Sequence, residues 1–375
     1  MLILDFIQEI DDPRLRGKVH HPLETILFIT LCAVLSGSDT WSDIELYGYG
    51  KKDWFSKYVN LDNGIPSEWT FRRFFTLLPG DVIENLLRQF SASVLKKSGI
   101  KSDQIAIDGK ALCGSKRQGL ACLHSVTAWC HENGLVLAET QTEQKSNEIT
   151  AIPLLIESLE IKNTTITIDA AGCQKNIVKL IKDKKADYVL GLKGNHPKLF
   201  EAAKNLKETV GEHDDNRLHD KFDKTHGRLT RRTYFAYDAR KLPNISEWAG
   251  AKSIIAVETI SSKVNKQGKT SAEWRYYLTS HEASNPKIVS YIRNHWGIEN
   301  KLHWVLDVQM NEDDDQKAER QSARSFALIK RIALNIVRSK VEGMPKKKGK
   351  KMSVRSHLKK AGWDSDYLLF LMSDL

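Results

Sequence analysis

The chain of 375 residues carries 57 Lys and Arg against 47 Asp and Glu, a formal net charge of +10. A basic excess of this size favours a polyanionic partner, nucleic acid before an anionic membrane. Hydropathy argues against a membrane protein, because the longest apolar run, Ile26 to Leu35, is about half of the ~20 residues that span a bilayer.

The N-terminus and the cysteines together predict a cytoplasmic protein. Four acidic residues stand among the first twelve, where a secretory signal has basic residues followed by a cleavage site. The five cysteines are scattered and never spaced as CxxC. That spacing is typical of reduced thiols and of neither a disulfide framework nor a zinc site.

Residues 1–98 have the pattern of a helical domain, which we expect to bind DNA. Pro22 opens a strongly apolar segment, and Ser67 with Glu68 predicts the start of another helix. That helix alternates aromatic residues with Arg72 and Arg73, so one face can pack while the other meets phosphate. An ordinary amphipathic surface helix accounts for the pattern equally well.

Residues 99–196 change to the period of strands and helices. Two apolar strands, 104–108 and 164–169, each end in an acid, and a third spans 188–192. Asn133-Gly134 between two apolar runs predicts a hairpin, and helices are expected from 148 to about 160 and over 174–183. The order predicts a mixed sheet with helices packed on its faces.

The remaining chain divides into three parts. Residues 197–285 predict a β-rich, basic insertion, and 286–341 predict two helices. Residues 342–375 form a basic C-terminal tail with five lysines between 346 and 351. The lysines are either a solvated segment or contacts to phosphate.

Two aspartates repeat one design: a buried strand, an acid at its carboxyl end, and then a small residue. Asp108-Gly109 and Asp169-Ala170 are these pairs. Either acid alone is as easily explained by the chain leaving the sheet. The matching pair favours a site, because ligands of such sheets bind beyond the carboxyl ends of the strands.

A third acid, Glu299, falls within the apolar stripe of the helix that starts at Pro286. We expect it to be buried and therefore to need a partner, either a basic side chain or a metal ion. Three converging carboxylates would bind Mg²⁺ or Mn²⁺ through oxygen. Two such ions can activate an attacking oxygen and stabilise the leaving one in phosphodiester displacement.

Five long motifs lie at 108–110, 145–149, 169–174, 192–195 and 293–308. They resemble the H-repeat-associated insertion-sequence transposases, a branch of the bacterial DDE transposases also called the transposase 11 family. The resemblance covers nearly the whole chain. It implies an RNase H-like mixed sheet with flanking helices, interrupted by the β-rich insertion and preceded by the helical domain. It also implies Asp108, Asp169 and Glu299 as the catalytic, metal-binding triad.

The family also suggests residues that contact DNA. Better-studied relatives carry a tyrosine, an arginine and a lysine around the glutamate, at spacings that fall here on Ile292, His295 and Leu306. Those contacts therefore do not transfer, and a histidine on a helix is more often a packing or hydrogen-bonding group. The candidates for DNA binding are Arg72, Arg73, Lys110, Lys193, Arg293, Lys301 and His303.

The expected function is metal-dependent hydrolysis of the phosphodiester bond at the ends of an insertion sequence. The freed 3′ hydroxyl is then joined to target DNA, which is the strand-transfer step. The expected partners are double-stranded DNA, at the terminal inverted repeats and at the target, and a second copy of the chain in the synaptic complex. A nucleoid-associated location follows from DNA as partner. Two alternatives remain: an RNase H-like nuclease without strand transfer, and an inactive DNA-binding relic.

Asp307 and the acidic run 312–315 are not expected to replace Glu299. Asp307 is eight residues further on, roughly 12 Å along a helix, which is too far to share the same metal pair. The run of consecutive acids is typical of a solvated loop or a helix cap.

Overall fold

The strands that lead to Asp108 and Asp169 are neighbouring parallel strands of a mixed sheet in a computed structural model of the chain. The prediction that the first of them ends at Asp108 is wrong, because that strand continues to Leu112. The structure describes residues 2–15, 17, 19–99, 102–116, 122–142, 148–225, 228–263, 270–315, 317, 319–341 and 352–373. The lysine-rich stretch 346–351 lies outside them. The chain divides into two compact units, the first of residues 1–101, 109–147 and 299–375, and the second of 102–108 and 148–298.

The first unit is mostly helical. Its helices are α1 (Leu2–Gln8), α2 (Leu23–Leu35), α3 (Trp41–Gly50), α4 (Lys52–Phe55), α5 (Glu68–Leu77), α6 (Gly80–Ser98), α11 (Arg320–Val341), α12 (Val354–Trp363) and α13 (Ser365–Met372). Two π-helical segments, Ile298–His303 and Val305–Gln309, precede α11; the first begins one residue before the unit boundary. Strands β2 (Leu123–Cys130) and β3 (Val136–Thr142) form an antiparallel hairpin.

Local signals in the sequence explain several of these boundaries. The side chain of Ser67 accepts a hydrogen bond from the amide of Thr70 and so caps α5 as predicted. Gly134 has a φ of +69° in the hairpin turn, which favours glycine, and the predicted hairpin is confirmed. All five cysteines are free thiols. Among the described residues, no helix has the length and hydropathy needed to cross a membrane.

Helix α11 is the centre of the first unit, and buried residues occupy most of its length. Phe326 packs edge-on against Trp41, which itself stacks on Phe75 of α5. The amide side chain of Asn335 accepts a hydrogen bond from the amide of Val136 (2.9 Å) and donates one to its carbonyl (2.7 Å). Asn335 therefore satisfies backbone groups of β3 as a neighbouring strand would.

The second unit contains seven strands of a mixed sheet. Strand β1 (Gln104–Leu112) contributes residues 104–108, and the others are β4 (Thr165–Ile168), β5 (Asp187–Leu192), β6 (Arg217–Thr225), β7 (Arg228–Asp238), β8 (Ser253–Lys263) and β9 (Thr270–Thr279). Their order is β1-β4-β5-β9-β8-β7-β6, parallel for the first three and antiparallel from β5 onward. The helices are α7 (Glu148–Glu157), α8 (Lys175–Asp183), α9 (Pro197–Val210) and α10 (Lys287–His295).

The predicted mixed sheet with flanking helices is confirmed. The predicted β-rich stretch after 197 is also strand-forming, with β9 paired directly to β5. The four strands of that stretch therefore extend the sheet of the parallel strands. Ile288 and Ile292 of α10 pack with Val189, Tyr234 and Ile255 in one buried cluster.

Candidate metal centre

Asp108 and Asp169 follow the last paired residues of two adjacent parallel strands. The register joins Gln104 to Thr165 and runs to Ile107 and Ile168, so the two aspartates come one step later on each strand. Asp108 is half-buried and Asp169 is exposed. Because neighbouring strands lie about 4.8 Å apart, two carboxylates at this edge can contact the same cation.

The turn after Asp169 is held by the strand beside it. A Cβ on Gly191 of β5 would meet the amide nitrogen of Ala170 at 3.0 Å and the carbonyl carbon of Asp169 at 3.3 Å. Asn195 donates a hydrogen bond to the carbonyl of Ala170 (2.7 Å), and an Asp169 oxygen accepts one from the amide of Ala171 (2.9 Å). The lack of a side chain at Gly191 thus lets β5 approach the backbone of Asp169 closely.

One face of β1 and β4 carries both aspartates, and α10 packs on it. Side chains alternate along a strand, so Asp169 faces the same side as Thr167. The hydroxyl of Thr167 lies 3.0 Å from Nδ1 of His295, the last residue of α10. Gln104 donates hydrogen bonds to the Thr167 hydroxyl (3.2 Å) and to the carbonyl of Tyr291 (2.8 Å). Predicted as a hydrogen-bonding group, His295 is one.

Glu299 stands in a π-helical segment, and the prediction that it is buried in the apolar stripe is wrong. Its side chain is 54% exposed, while Ile298 and Leu302 are fully buried. A helical period of 3.6 residues that continues past Trp296 would bury Glu299, but Trp296 is itself 48% exposed. A π turn takes an additional residue, so the buried face shifts to the neighbours of Glu299.

The side chain next to Glu299 within the first unit is His303. Its Nδ1 lies 3.5 Å from a carboxylate oxygen of Glu299, four residues earlier, and the side chain is only 7% exposed. A buried imidazole can hold the carboxylate in one orientation through this contact. His303 therefore faces Glu299 inside the protein, which places it poorly for direct contact with DNA.

Some of the basic residues predicted to bind DNA are exposed, and others form ion pairs with carboxylates of the protein. Arg73, Lys193 and Lys301 are exposed. Two arginines are partly exposed and form ion pairs: Arg72 with Glu319 at 2.7 Å, and Arg293 with Asp223 at 3.0 Å.

Lys110 is largely enclosed. Its side chain is 10% exposed, and its ammonium group is bound to Asp307 and, at 2.7 Å, to Glu312. These two carboxylates balance its charge inside the protein, so its contact with phosphate stays a prediction that these pairings do not support.

Comparison with known proteins finds transposases. Residues 97–336 match the family described as Transposase DDE domain, and residues 4–91 match the domain described as DDE_Tnp_1-associated. "Putative transposase YncI" of Escherichia coli O157:H7 is 38% identical over 367 residues, 94% of this chain and 92% of that protein. "H repeat-associated putative transposase YhhI" of Escherichia coli K12 is 36% identical over 386 aligned positions, 99% of this chain and 97% of that protein.

A solved structure, the piggyBac transposase synaptic complex with hairpin DNA, is 12% identical with a TM-score of 0.42, covering 99% of this chain and 79% of that one. The sequence relatives match this chain over nearly their whole length and nearly all of its own. The chain therefore belongs to the family of transposases with a DDE domain, among the H-repeat-associated proteins.

Proposed function

We propose that the chain is the DNA transposase of an insertion sequence, which cuts at the ends of its element and joins the freed 3′ hydroxyl to target DNA. The observation that carries the proposal is that Asp108 and Asp169 each directly follow the last paired residue of two adjacent parallel strands. Two carboxylates in such a position suit a hard divalent cation and phosphodiester chemistry.

Asp108, Asp169 and Glu299 are the proposed ligands of Mg²⁺ or Mn²⁺. Proteins of this family generally use divalent metal ions, and the donor set fits because all three residues offer carboxylate oxygens. When bound, the metal ions supply activation of the attacking oxygen and stabilisation of the leaving one. Glu299 follows His295 by four residues in the chain, and His295 is bound to the strand that ends in Asp169.

The protein's own residues supply orientation. The close approach at Gly191 and the hydrogen bond from Asn195 fix the backbone of the turn that follows Asp169. His303, beside Glu299, restricts the rotamers of that carboxylate. Groups held before reaction lower the entropic part of the barrier, because they need not be ordered at the transition state.

The proposed partner is double-stranded DNA, at the terminal inverted repeats and at the target, with two copies of the chain in the synaptic complex. The net charge of +10 and the exposed cations Arg73, Lys193 and Lys301 support phosphate contacts. The corresponding location is the cytoplasm, in association with the nucleoid.

Incubation of the purified protein with Mg²⁺ and the genomic DNA that flanks its gene tests the proposal. We expect nicks at both ends of the element and covalent joining of those ends to a target plasmid. Cleavage spread over the DNA without joining would instead indicate a nuclease. Binding to the ends without any cleavage, under conditions that keep the protein folded, would indicate a relic.

A further inference from the structure

The acidic run 312–315, for which the sequence predicts a solvated loop or a helix cap, contains one of the most deeply buried carboxylates among the described residues. Glu312 is 4% exposed and accepts a hydrogen bond from the Lys110 ammonium group at 2.7 Å. The same ammonium group is bound to Asp307 and lies 3.6 Å from an oxygen of Asp313. Lys110 is thus enclosed by carboxylates of a segment about 200 residues away in the chain.

A second buried cation continues the network on the other side of Glu312. Arg331 of α11 is 1% exposed, and its guanidinium group is bound to both carboxylate oxygens of Glu312. Its Nε donates to Glu139 of β3 at 2.7 Å, and Thr127 donates to the same Glu139 oxygen at 2.8 Å. Charges of opposite sign therefore alternate from Lys110 through Glu312 and Arg331 to Glu139.

Stability alone does not account for such a set. Burying each ion costs several kcal/mol of hydration, and apolar residues of similar volume often give a fold that is as stable or more stable. Alternating ion pairs provide something that apolar packing does not, a single permitted relative position of the elements that carry them. Those elements are β1, the second π-helical segment, the loop after it, α11 and β3.

Two of the connected elements are close in the chain to proposed metal ligands. Lys110 stands two residues after Asp108, so the two side chains face the same side of β1. Asp307 lies in the second π-helical segment, which directly follows the one that contains Glu299. π-helical turns are rare in proteins, and those that occur are frequently found at functional sites.

We propose that Lys110, held by Glu312 and Arg331, is a positioning residue that fixes the π-helical segments and with them the orientation of Glu299. The inference rests on the proposed function, since it concerns the same carboxylate. It differs from the phosphate contact expected of Lys110 from the sequence. A positioning residue affects the rate of cleavage and the local order of the segment, whereas a phosphate contact affects DNA affinity and its salt dependence.

The test compares Lys110→Met with Lys179→Met, which removes an exposed ion pair to Asp183 in the other unit. Three quantities are measured for each: kcat for cleavage at saturating Mg²⁺ and DNA, Kd for the element ends at several salt concentrations, and hydrogen exchange of residues 298–309. For Lys110→Met we expect kcat to fall about tenfold or more. We also expect unchanged Kd and faster exchange confined to the π-helical segments. Lys179→Met should change none of the three.

Asp307→Asn provides a milder second variant, because it leaves the Lys110–Glu312 pair intact, and it should show the same changes with smaller amplitude. The combination of Lys110→Met with Glu312→Gln should lose less than the product of the single losses, because the residues act through one contact. A raised Kd with a salt slope lower by about 0.9 and unchanged exchange would overturn the inference in favour of a phosphate contact. Unchanged kcat and exchange would also overturn it. If the wild type does not cleave DNA, the proposed function fails, and exchange alone decides whether Lys110 orders the segment.

Discussion

The hydroxyl of Thr167 and Nδ1 of His295 lie 3.0 Å apart, which joins strand β4 to the last residue of helix α10. Thr167 precedes Asp169 by two residues on the same face of the strand, and His295 precedes Glu299 by four. Both partners of this hydrogen bond are therefore close in the chain to a proposed metal ligand. The bond fixes where the chain leaves α10 toward Glu299.

Replacement of Thr167 by valine tests this role. The variant leaves His295 and Gln104 without their shared partner, so we expect a loss of about 1–3 kcal/mol in the free energy of unfolding. The rate of cleavage should fall about tenfold, because the end of α10 is no longer fixed. Thr165→Val is the matched control. Thr165 lies on the same strand as Thr167, and its hydroxyl forms a hydrogen bond with His281 at 3.0 Å. It should cost similar stability with little loss of rate, and equal rate losses in both variants would refute the positional argument.

Gly191→Ala tests the close approach at Asp169. The new Cβ would lie 3.0 Å from the amide nitrogen of Ala170, so the backbone beside Asp169 must move by a few tenths of an ångström. We expect cleavage to slow about tenfold or more, because a shift well under 1 Å already disturbs a positioned ligand. Gly194→Ala is the control, since nothing lies within 4 Å of its Cβ position. Equal cleavage rates for the two variants would show that this approach is not required.

The metal requirement gives a prediction that needs no mutation. An all-carboxylate site should support cleavage with Mg²⁺ or Mn²⁺ and not with Ca²⁺, whose looser coordination binds without aligning the reacting groups. Added Ca²⁺ should therefore inhibit the reaction in Mg²⁺ by competition. Activity that survives exhaustive treatment with EDTA would be incompatible with the proposed site.

The burial of Lys317 predicts that the free energy of unfolding depends on pH. Burial lowers the pKa of Lys317 to about 8 despite its contact with Asp315 at 2.9 Å. Between pH 8 and the ordinary value of 10.5 the folded side chain is neutral while the unfolded one keeps its proton. The unfolded state then binds more protons, so stability rises with pH across this window, by up to about 3 kcal/mol.

The measurement is urea unfolding of the wild type and of Lys317→Met at pH 7.5, 8.5 and 9.5, where other titrating groups cancel in the difference. The wild type should gain on the variant as the pH rises. A constant difference, or one that moves in the opposite direction, would show that Lys317 keeps an ordinary pKa.

Much of the fold could be predicted because its signals are local. The apolar runs that precede Asp108 and Asp169, the turn at Asn133-Gly134 and the cap at Ser67 each depend on a few neighbouring residues. The predicted end of the first run at Asp108 is wrong, since β1 continues to Leu112. The same holds for the placement of the two aspartates, since parallel strands share a carboxyl edge.

The errors concern features that depend on distant residues or on a change of helical period. Glu299 was expected in the buried stripe, but the π-helical turns that start at Ile298 shift which residues face inward. At Glu312 the sequence predicts a solvated loop or a helix cap, since nothing near this residue signals its buried partners, Lys110 and Arg331. For the same reason nothing near Lys110 in the sequence signals that Glu312 binds its ammonium group.

Glu299→Gln is the most direct test of the central claim that Asp108, Asp169 and Glu299 form the catalytic metal site. The substitution keeps the shape of a side chain that is 54% exposed and removes its charge, so folding and binding of the element ends should be unaffected. Cleavage in Mg²⁺ should be abolished, while Asp314→Asn, an exposed acid from the nearby run, should cleave like the wild type. Near-normal cleavage by folded Glu299→Gln, measured beside the wild type on the same DNA, would contradict the assignment.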